Sequence, residues 1–307
     1  MLPINIHLPD GFLNEEERCG YLVSTEMKKV WAIELDLLNE LLSVCKRNGL
    51  TVFASDGTML GAIRHQGFIP WDDDIDMMMY REDYELLCSI AKSEFKEPYF
   101  FQTEYSDPGS MRGHAQLRNS LTAAIRKKEK DNCHFNMGIF IDIFPLDNVI
   151  EDASLLEKQK KKCDFYKRYA VYFNNATRRY VPCRNKSIKT IVSTGIHSLS
   201  QVIKSVDHLP TLFYTKFENE CKRYNDRPTE IIAPLSFAFG SMKHRMRRID
   251  YSSFEDRAFE FIHIPVTTHW EDALYRRYGD WHKYEIGTSM HGELVFNTEH
   301  SYKEFIK

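Results

Sequence analysis

The residues best suited to chemistry are four aspartates within five positions, Asp72-Asp73-Asp74-Ile75-Asp76. Carboxylates at this density repel one another, so a folded chain tolerates them best with a cation among them. Their oxygen atoms suit Mg²⁺ or Mn²⁺. If the run is extended, alternate residues share one face, and Asp72, Asp74 and Asp76 point the same way. Asp74 and Asp76 form the firmest pair, because Ile75 between them points toward the core.

A small-residue turn, Asp56-Gly57-Thr58, precedes the acidic run and should open a short helix from Met59 to His65. The N-terminus of a helix offers free backbone N–H groups to a phosphate. A phosphate-binding turn, a short helix and a strand with Asp-x-Asp are typical of a nucleotidyltransferase-type site. There, metal ions bridge carboxylates and phosphates and stabilise charge on the transferred group.

Three other interpretations of the acidic run stay open. A charge run is commonly a solvated loop, although apolar residues bound this one on both sides. An EF-hand-like loop would bind calcium through Asp72, Asp74, Asp76 and Asp83, but its sixth position is Met77 where glycine is needed. The third is a site that keeps its shape without activity.

The stretch from Ser55 to Tyr84, which contains GTMLGAIRHQGFIPWDDDID, resembles the signature of the LicD family. Its members transfer phosphocholine, or a related phosphoalcohol, from a CDP-linked donor to a glycan. The same core resembles that of the fukutin-related proteins, which transfer ribitol phosphate. The resemblance is looser from about Glu26 to Pro145 and returns at IPVTTHWEDALYRRYGDW near the C-terminus. Many family members have Gly-Gly-Thr where this chain has Asp56-Gly57-Thr58.

A second candidate strand, Gly138 to Pro145, is apolar except for Asp142. A buried aspartate needs a partner or an ion. One interpretation is a structural Asp142 that bonds backbone or pairs with an arginine. The other is a third carboxylate of a two-metal site beside Asp74 and Asp76, which the resemblance of FIDIFPLD to a further family motif supports.

These observations and the resemblance predict the site residues. The predicted catalytic residues are Asp74, Asp76 and Asp142, and Asp142 is the candidate acceptor of the hydroxyl proton. The predicted metal ligands are Asp72, Asp74, Asp76 and Asp142. The predicted substrate-binding residues are Gly57, Thr58, Arg64, His65, Trp71 and Arg118. The two arginines would neutralise phosphate charge, with a structural ion pair as the alternative for each, and Trp71 would wall a pocket for choline.

The resemblance implies a metal-dependent transferase, with CDP-choline as the favoured donor and CMP as the product. Its acceptor would be a glycan or a lipid-linked glycan, as in teichoic acid or lipopolysaccharide biosynthesis. Two alternatives remain: a nucleotidyltransferase that uses an NTP and releases pyrophosphate, and a partner protein that binds nucleotide or metal without turnover.

Composition narrows the class of protein. The 307 residues are 43% hydrophobic and 28% charged, which is typical of a globular chain. A net charge of -3 argues against a nucleic-acid partner. The 7 cysteines have no Cys-x-x-Cys spacing, and no signal peptide or spanning segment is evident, so we expect a cytoplasmic location. The Lys158–Lys162 run is a solvated face or a contact with the inner membrane surface.

The elements that position these residues predict an α/β (α+β) fold. We expect a mixed, nucleotidyltransferase-like sheet over residues 1–150, a helical insertion over 151–225 and a section over 226–307 that packs back on the core. The apolar periodicity predicts a helix over Thr25–Arg47, with Glu34, Asp36 and Glu40 on its polar side and Gly49 as its stop. In the insertion we expect helices over 154–174, 187–205 and 210–224.

The C-terminal section should return to β structure. We expect a strand over Ile231–Phe239, a basic turn over Lys243–Arg248 and a hairpin over Ser253–Phe261. A helix should follow over Thr268–Tyr278, capped by Thr267 or Thr268 and stopped by Gly279.

Overall fold

A computed structural model of the chain describes residues 2–126, 135–178, 188–241, 244–286 and 294–305. The strands are β1 (Glu16–Arg18), β2 (Tyr21–Val23), β3 (Phe53–Ala54), β4 (Asp76–Tyr80), β5 (Tyr99–Gln102), β6 (Ala115–Asn119), β7 (Ala123–Arg126), β8 (Ile139–Asn148), β9 (Ile231–Ala233), β10 (Met246–Arg247), β11 (Phe254–Phe259), β12 (Ile262–Thr267) and β13 (Leu294–Asn297). The helices are α1 (Thr25–Asn48), α2 (Asp56–His65), α3 (Arg81–Glu94), α4 (Ala153–Thr177), α5 (Ile188–Val202), α6 (Leu209–Cys221), the short α7 (Leu235–Ala238) and α8 (Trp270–Tyr278).

The strand β8 is the centre of a seven-stranded mixed sheet. On one side β4 runs parallel to β8, and β3 pairs antiparallel with β4. On the other side β6 pairs antiparallel with the start of β8 and β9 with its end, while β5 and β10 extend the sheet. Every residue of β8 is buried, as expected for an apolar central strand covered on both faces. The prediction of a mixed sheet flanked by helices is confirmed.

The helix α1 begins and ends close to the predicted residues. The Ser24 hydroxyl accepts the Met27 N–H at its start, and Gly49 ends it in the left-handed conformation at φ 66°. The prediction that Glu34 and Asp36 lie on a polar face is wrong, because each is only 1% exposed. The helix packs against β8, β6 and β12, so its polar positions are covered as well.

The described residues between 151 and 225 contain the helices α4, α5 and α6, close to the three predicted ranges. The helices α4 and α6 pack side by side around Cys163, Tyr214 and Phe217. The predicted start of α5 at Ser187 lies outside the described residues. The division into sections at 150 and 225 stays a prediction.

The C-terminal section differs from the prediction in three places. The strand predicted over Ile231–Phe239 ends at Ala233, because Pro234 has no N–H for the sheet and the short helix α7 follows. The hairpin is formed by β11 with β12, so the predicted range covers only its first strand and its turn. The cap of α8 is His269 rather than a threonine, while Gly279 ends the helix as predicted. Of the predicted basic turn, Lys243 lies outside the described residues.

Candidate active site

The acidic run forms a compact cluster just before β4. Carboxylate oxygens of Asp72, Asp73 and Asp74 all lie within 4.8 Å of one another. The regular strand begins only at Asp76, so strict alternation does not extend through the run and Asp73 joins its neighbours. The indole of Trp31 on α1 donates to the Asp72 carbonyl at 3.1 Å and fixes the segment, and Ile75 is buried as predicted.

Asp76 and Asp142 lie side by side on neighbouring parallel strands. They are register partners of β4 and β8, and the Asp142 N–H donates to the Ile75 carbonyl at 2.9 Å. Partners in a parallel pair point to the same face of the sheet. Burial raises the pKa of Asp76 well above its usual range, and the charges of Asp56, Asp142 and Asp72 raise it further, while Arg277 opposes this shift. The sheet therefore brings two of the predicted catalytic carboxylates together.

Asp142 is held by the side chains of His114, which directly precedes β6, and of Gln116 on β6. Its Oδ1 accepts from Gln116 Nε2 at 2.6 Å and lies 3.0 Å from His114 Nε2. Arg118, the next residue on the same face, donates to Gln116 Oε1 and, at 2.6 Å each, to Gln102 Oε1 and the Gly138 carbonyl. Arg118 is 1% exposed, and its hydrogen bond holds the Gln116 side chain in the orientation that contacts Asp142. Phosphate binding by Arg118 stays a prediction.

The first turn of α2 packs against the acidic run. The helix begins at Asp56, so Gly57 and Thr58 lie inside it rather than before it. A Cβ on Gly57 would lie 2.7 Å from Asp72 Oδ2, so a side chain there would displace the Asp72 carboxylate. The Thr58 hydroxyl accepts the Asp76 N–H at 2.8 Å. Asp56 has φ 43°, a conformation that glycine adopts more readily than aspartate does.

Three predicted substrate-binding residues meet at the other end of α2. Arg64 donates to the carbonyls of Trp281 at 2.7 Å and Lys283 at 3.0 Å, and its Nε bonds His65. The Trp71 ring lies 6.4 Å from Tyr284 and 6.5 Å from His65. Tyr21 completes this aromatic group at 6.0 Å from Trp71. Burial, together with the charge of Arg64, lowers the pKa of His65 to about 4, so its ring is neutral at pH 7.

Sequence reasoning missed several residues of the site. Glu34 on α1 is one, because the apolar periodicity placed it on the polar side of that helix. Burial raises its pKa well above the usual range, and the charges of Asp74, Asp73 and Asp72 add to the shift. The alternation of His114, just before β6, with Gln116 and Arg118 on β6 was a usable signal for the residues around Asp142, because positions two apart in an extended chain share a face.

The arrangement fits a hard divalent cation. The donors are carboxylate oxygens only, and the mutual repulsion that raises the pKa of Asp76 is what a cation would relieve. The calcium-loop interpretation is wrong, because Met77 lies within the strand β4. In addition, Asp83 lies on α3, where its carboxylate accepts the Thr51 N–H. The run is not a solvated loop either, since Asp72, Asp73 and Asp74 are all half-buried.

Residues 49–180 match the family model described as "LicD/FKTN/FKRP, nucleotidyltransferase domain". That range includes every predicted site residue. The lipopolysaccharide cholinephosphotransferase LicD of Haemophilus influenzae is 26% identical over 263 residues, which span 81% of this chain and 88% of that protein. An uncharacterized protein of Rickettsia prowazekii is 28% identical over 150 residues, 49% of this chain and 53% of that protein.

Proposed function

We propose that this chain is a LicD-like phosphotransferase that transfers phosphocholine from CDP-choline to a glycan hydroxyl and releases CMP. The match of residues 49–180 to the family model and the similarity to the LicD protein of Haemophilus influenzae support this proposal. A related phosphoalcohol is the variant of the same proposal, and the acceptor is a cell-surface glycan or its lipid-linked precursor. The observation that carries the proposal is the carboxylate cluster of Asp72, Asp73 and Asp74 with Asp76 and Asp142 beside it.

Mg²⁺ or Mn²⁺ would be held by Asp72, Asp74, Asp76 and Asp142, with Asp73 as an added candidate. A bound ion would supply neutralisation of the donor's phosphate charge. The acceptor oxygen attacks the distal phosphorus in line, the bond from that phosphorus to the CMP oxygen breaks, and the electron pair leaves with CMP. Asp142 receives the hydroxyl proton, and its contacts with Gln116 and His114 hold its carboxylate in one orientation.

The aromatic group beside the cluster supports choline as the alcohol. Trp71 directly precedes Asp72, and Tyr21 and Tyr284 flank its ring. Aromatic faces attract a quaternary ammonium group through the ring quadrupole, whereas a polyol needs hydrogen-bonding side chains. We expect Trp71→Leu to raise KM for CDP-choline about fivefold, with little change for CDP-glycerol. An equal effect on both donors would contradict a choline-specific role.

A nucleotide-release assay tests the reaction class. Purified protein is incubated with Mg²⁺, a glycan extract and either a CDP-alcohol or an NTP, and CMP and pyrophosphate are quantified. We expect CMP from CDP-choline, with turnover lost in Asp74→Asn, in Asp76→Asn and on chelation, and kept in the control Asp226→Asn at an exposed position. Pyrophosphate from an NTP would indicate a nucleotidyltransferase. Binding of CDP-choline without either product would indicate a partner protein.

We also propose a cytoplasmic location with contact at the inner membrane face. Within the described ranges, no helix is long and apolar enough to cross a bilayer. The helix α5 instead exposes an apolar face, with Ile188 and Val202 each 81% exposed and Ile191 64% exposed. It packs on α4, where Lys161 and Lys162 are exposed to attract anionic lipid. Co-sedimentation with anionic but not neutral vesicles, reduced in Ile191→Ser, tests this contact.

A further inference from the structure

A recess lies beside the acidic cluster, between α2, α8 and the turn that leads into β10. Its floor is apolar and includes Met59, Met78 and Tyr251. Its rim is basic and includes His244, Arg245 and Arg277. The two arginines lie outside the residues that match the family model, and neither belongs to the predicted site.

The basic rim has more positive charge than its carboxylates neutralise. Arg276 is balanced by Asp250, with Nε 2.9 Å from Oδ2. Arg277 pairs with Asp56 at 2.5 Å. In the described part of the chain, Arg245 has no carboxylate within ion-pair distance. The rim can therefore accept an anion without first losing all of its own ion pairs.

The recess adjoins the carboxylate cluster through the first turn of α2. Asp56, on the rim, directly precedes Gly57, and Gly57 packs closely on the Asp72 carboxylate. A phosphate on Arg277 would therefore lie next to the segment that carries Asp72 to Asp76. An apolar floor with a cationic rim matches a ligand that has a flat, weakly polar ring at one end and a phosphate at the other.

We propose that this recess is the nucleoside monophosphate subsite, with the base on the methionine floor and the phosphate on Arg277 and Arg245. The identity of that unit as CMP rests on the proposed function. Arg277 then exchanges its pair with Asp56 for the phosphate oxygens, so α8 binds the leaving nucleotide while the sheet carries the carboxylates. The C-terminal section thus completes a site whose other half lies within residues 49–180.

The test is calorimetric titration of CMP and of cytidine into the full chain, in chelator so that no divalent ion contributes. The variants are Arg277→Gln, Arg245→Gln and a matched control, Arg223→Gln, which removes an arginine paired with Glu220 on the far helical segment. We expect about tenfold weaker CMP binding in each rim variant, because a charge-assisted hydrogen bond is lost, and unchanged cytidine binding. The control should bind CMP as the unaltered chain does.

Arg245→Gln keeps the proposal falsifiable if Arg277→Gln unfolds the chain, because Arg245 has no ion pair to lose within the described residues. Unchanged CMP affinity in the folded rim variants, or no CMP binding by the unaltered chain, would overturn the subsite. Turnover of CDP-choline together with unchanged CMP affinity would reject the subsite alone. The expected loss of CMP affinity without turnover of any CDP-alcohol would reject the proposed function and leave the subsite standing.

Discussion

Replacing Gln116 with leucine tests whether the β6 side chains hold Asp142 for chemistry. Gln116 is 2% exposed, donates to Asp142 at 2.6 Å and accepts from Arg118. Both partners are charged, and such hydrogen bonds contribute roughly 1.5–3 kcal/mol each. Leucine recovers part of this through apolar burial, so we expect the free energy of unfolding to fall by about 3 kcal/mol.

The expected effect on catalysis is larger than that on folding. Without Gln116, Asp142 keeps His114 as a partner but loses one of the two contacts that orient its carboxylate. Partners that orient a ligand or base typically contribute about 10–100-fold to activity, so kcat/KM should fall by that factor. The Mg²⁺ concentration needed for half-maximal rate should rise as well.

Gln159→Leu is the matched control. Gln159 is 1% exposed and donates to the carbonyls of Glu220 and Cys221, between α4 and α6. Urea denaturation should show a loss of about 2 kcal/mol, since two buried hydrogen bonds are removed there too. CMP release per folded molecule should nevertheless match the unaltered chain. If Gln116→Leu kept activity within about twofold of Gln159→Leu, the hydrogen bond from Gln116 would not be needed to orient Asp142 for catalysis. That result would refute the role proposed for Gln116.

Three further predictions concern Asp56, His65 and the metal. Asp56→Gly should be more stable to urea than Asp56→Ala by about 1 kcal/mol, because both lose the Arg277 pair but only glycine suits φ 43°; equal stabilities would contradict the backbone argument. His65 has a pKa of about 4 in the folded chain against an ordinary 6.5. As the pH falls, the unfolded chain therefore binds this proton before the folded chain does. The stability that neutral His65 contributes is present above pH 6.5 and is lost as the pH falls toward 4. His65→Gln should therefore lose less unfolding free energy than the unaltered chain over that pH interval, and parallel pH profiles would show that the shift is absent. Mg²⁺ should raise the unfolding temperature of the unaltered chain and of Asp226→Asn but not of Asp74→Asn, because only the native cluster binds it; an equal rise in all three would place the ion elsewhere.

Several helices and strands could be predicted from the sequence, because cap residues and apolar runs within each segment determine them. Ser24 and Gly49 delimit α1, and the apolar runs around Asp76 and Asp142 predict β4 and β8. The strand predicted over Ile231–Phe239 failed because its composition is apolar throughout, and Pro234 has more influence on the backbone than that composition does.

The missed site residues depend on packing between distant segments. Glu34 lies close to the acidic cluster because α1 is covered on several sides. The apolar periodicity of a single helix does not show which neighbours will cover its polar side. Arg277 reaches Asp56 across 221 positions of sequence, a contact that the fold alone creates. Asp73 joined the cluster because the chain before β4 is not a regular strand, so alternation gave the wrong orientation.

The most direct test of the central claim follows the transferred group itself. The chain, Mg²⁺ and a glycan extract are incubated with CDP-choline deuterated in its methyl groups, and the glycans are examined by mass spectrometry. The account predicts glycans that gain one labelled phosphocholine group, CMP in equal amount, and no labelled glycan with Asp76→Asn. Labelled glycans at an undiminished level with Asp76→Asn would contradict the role of the carboxylate cluster, and glycans that gain a cytidylyl group would contradict attack at the distal phosphorus.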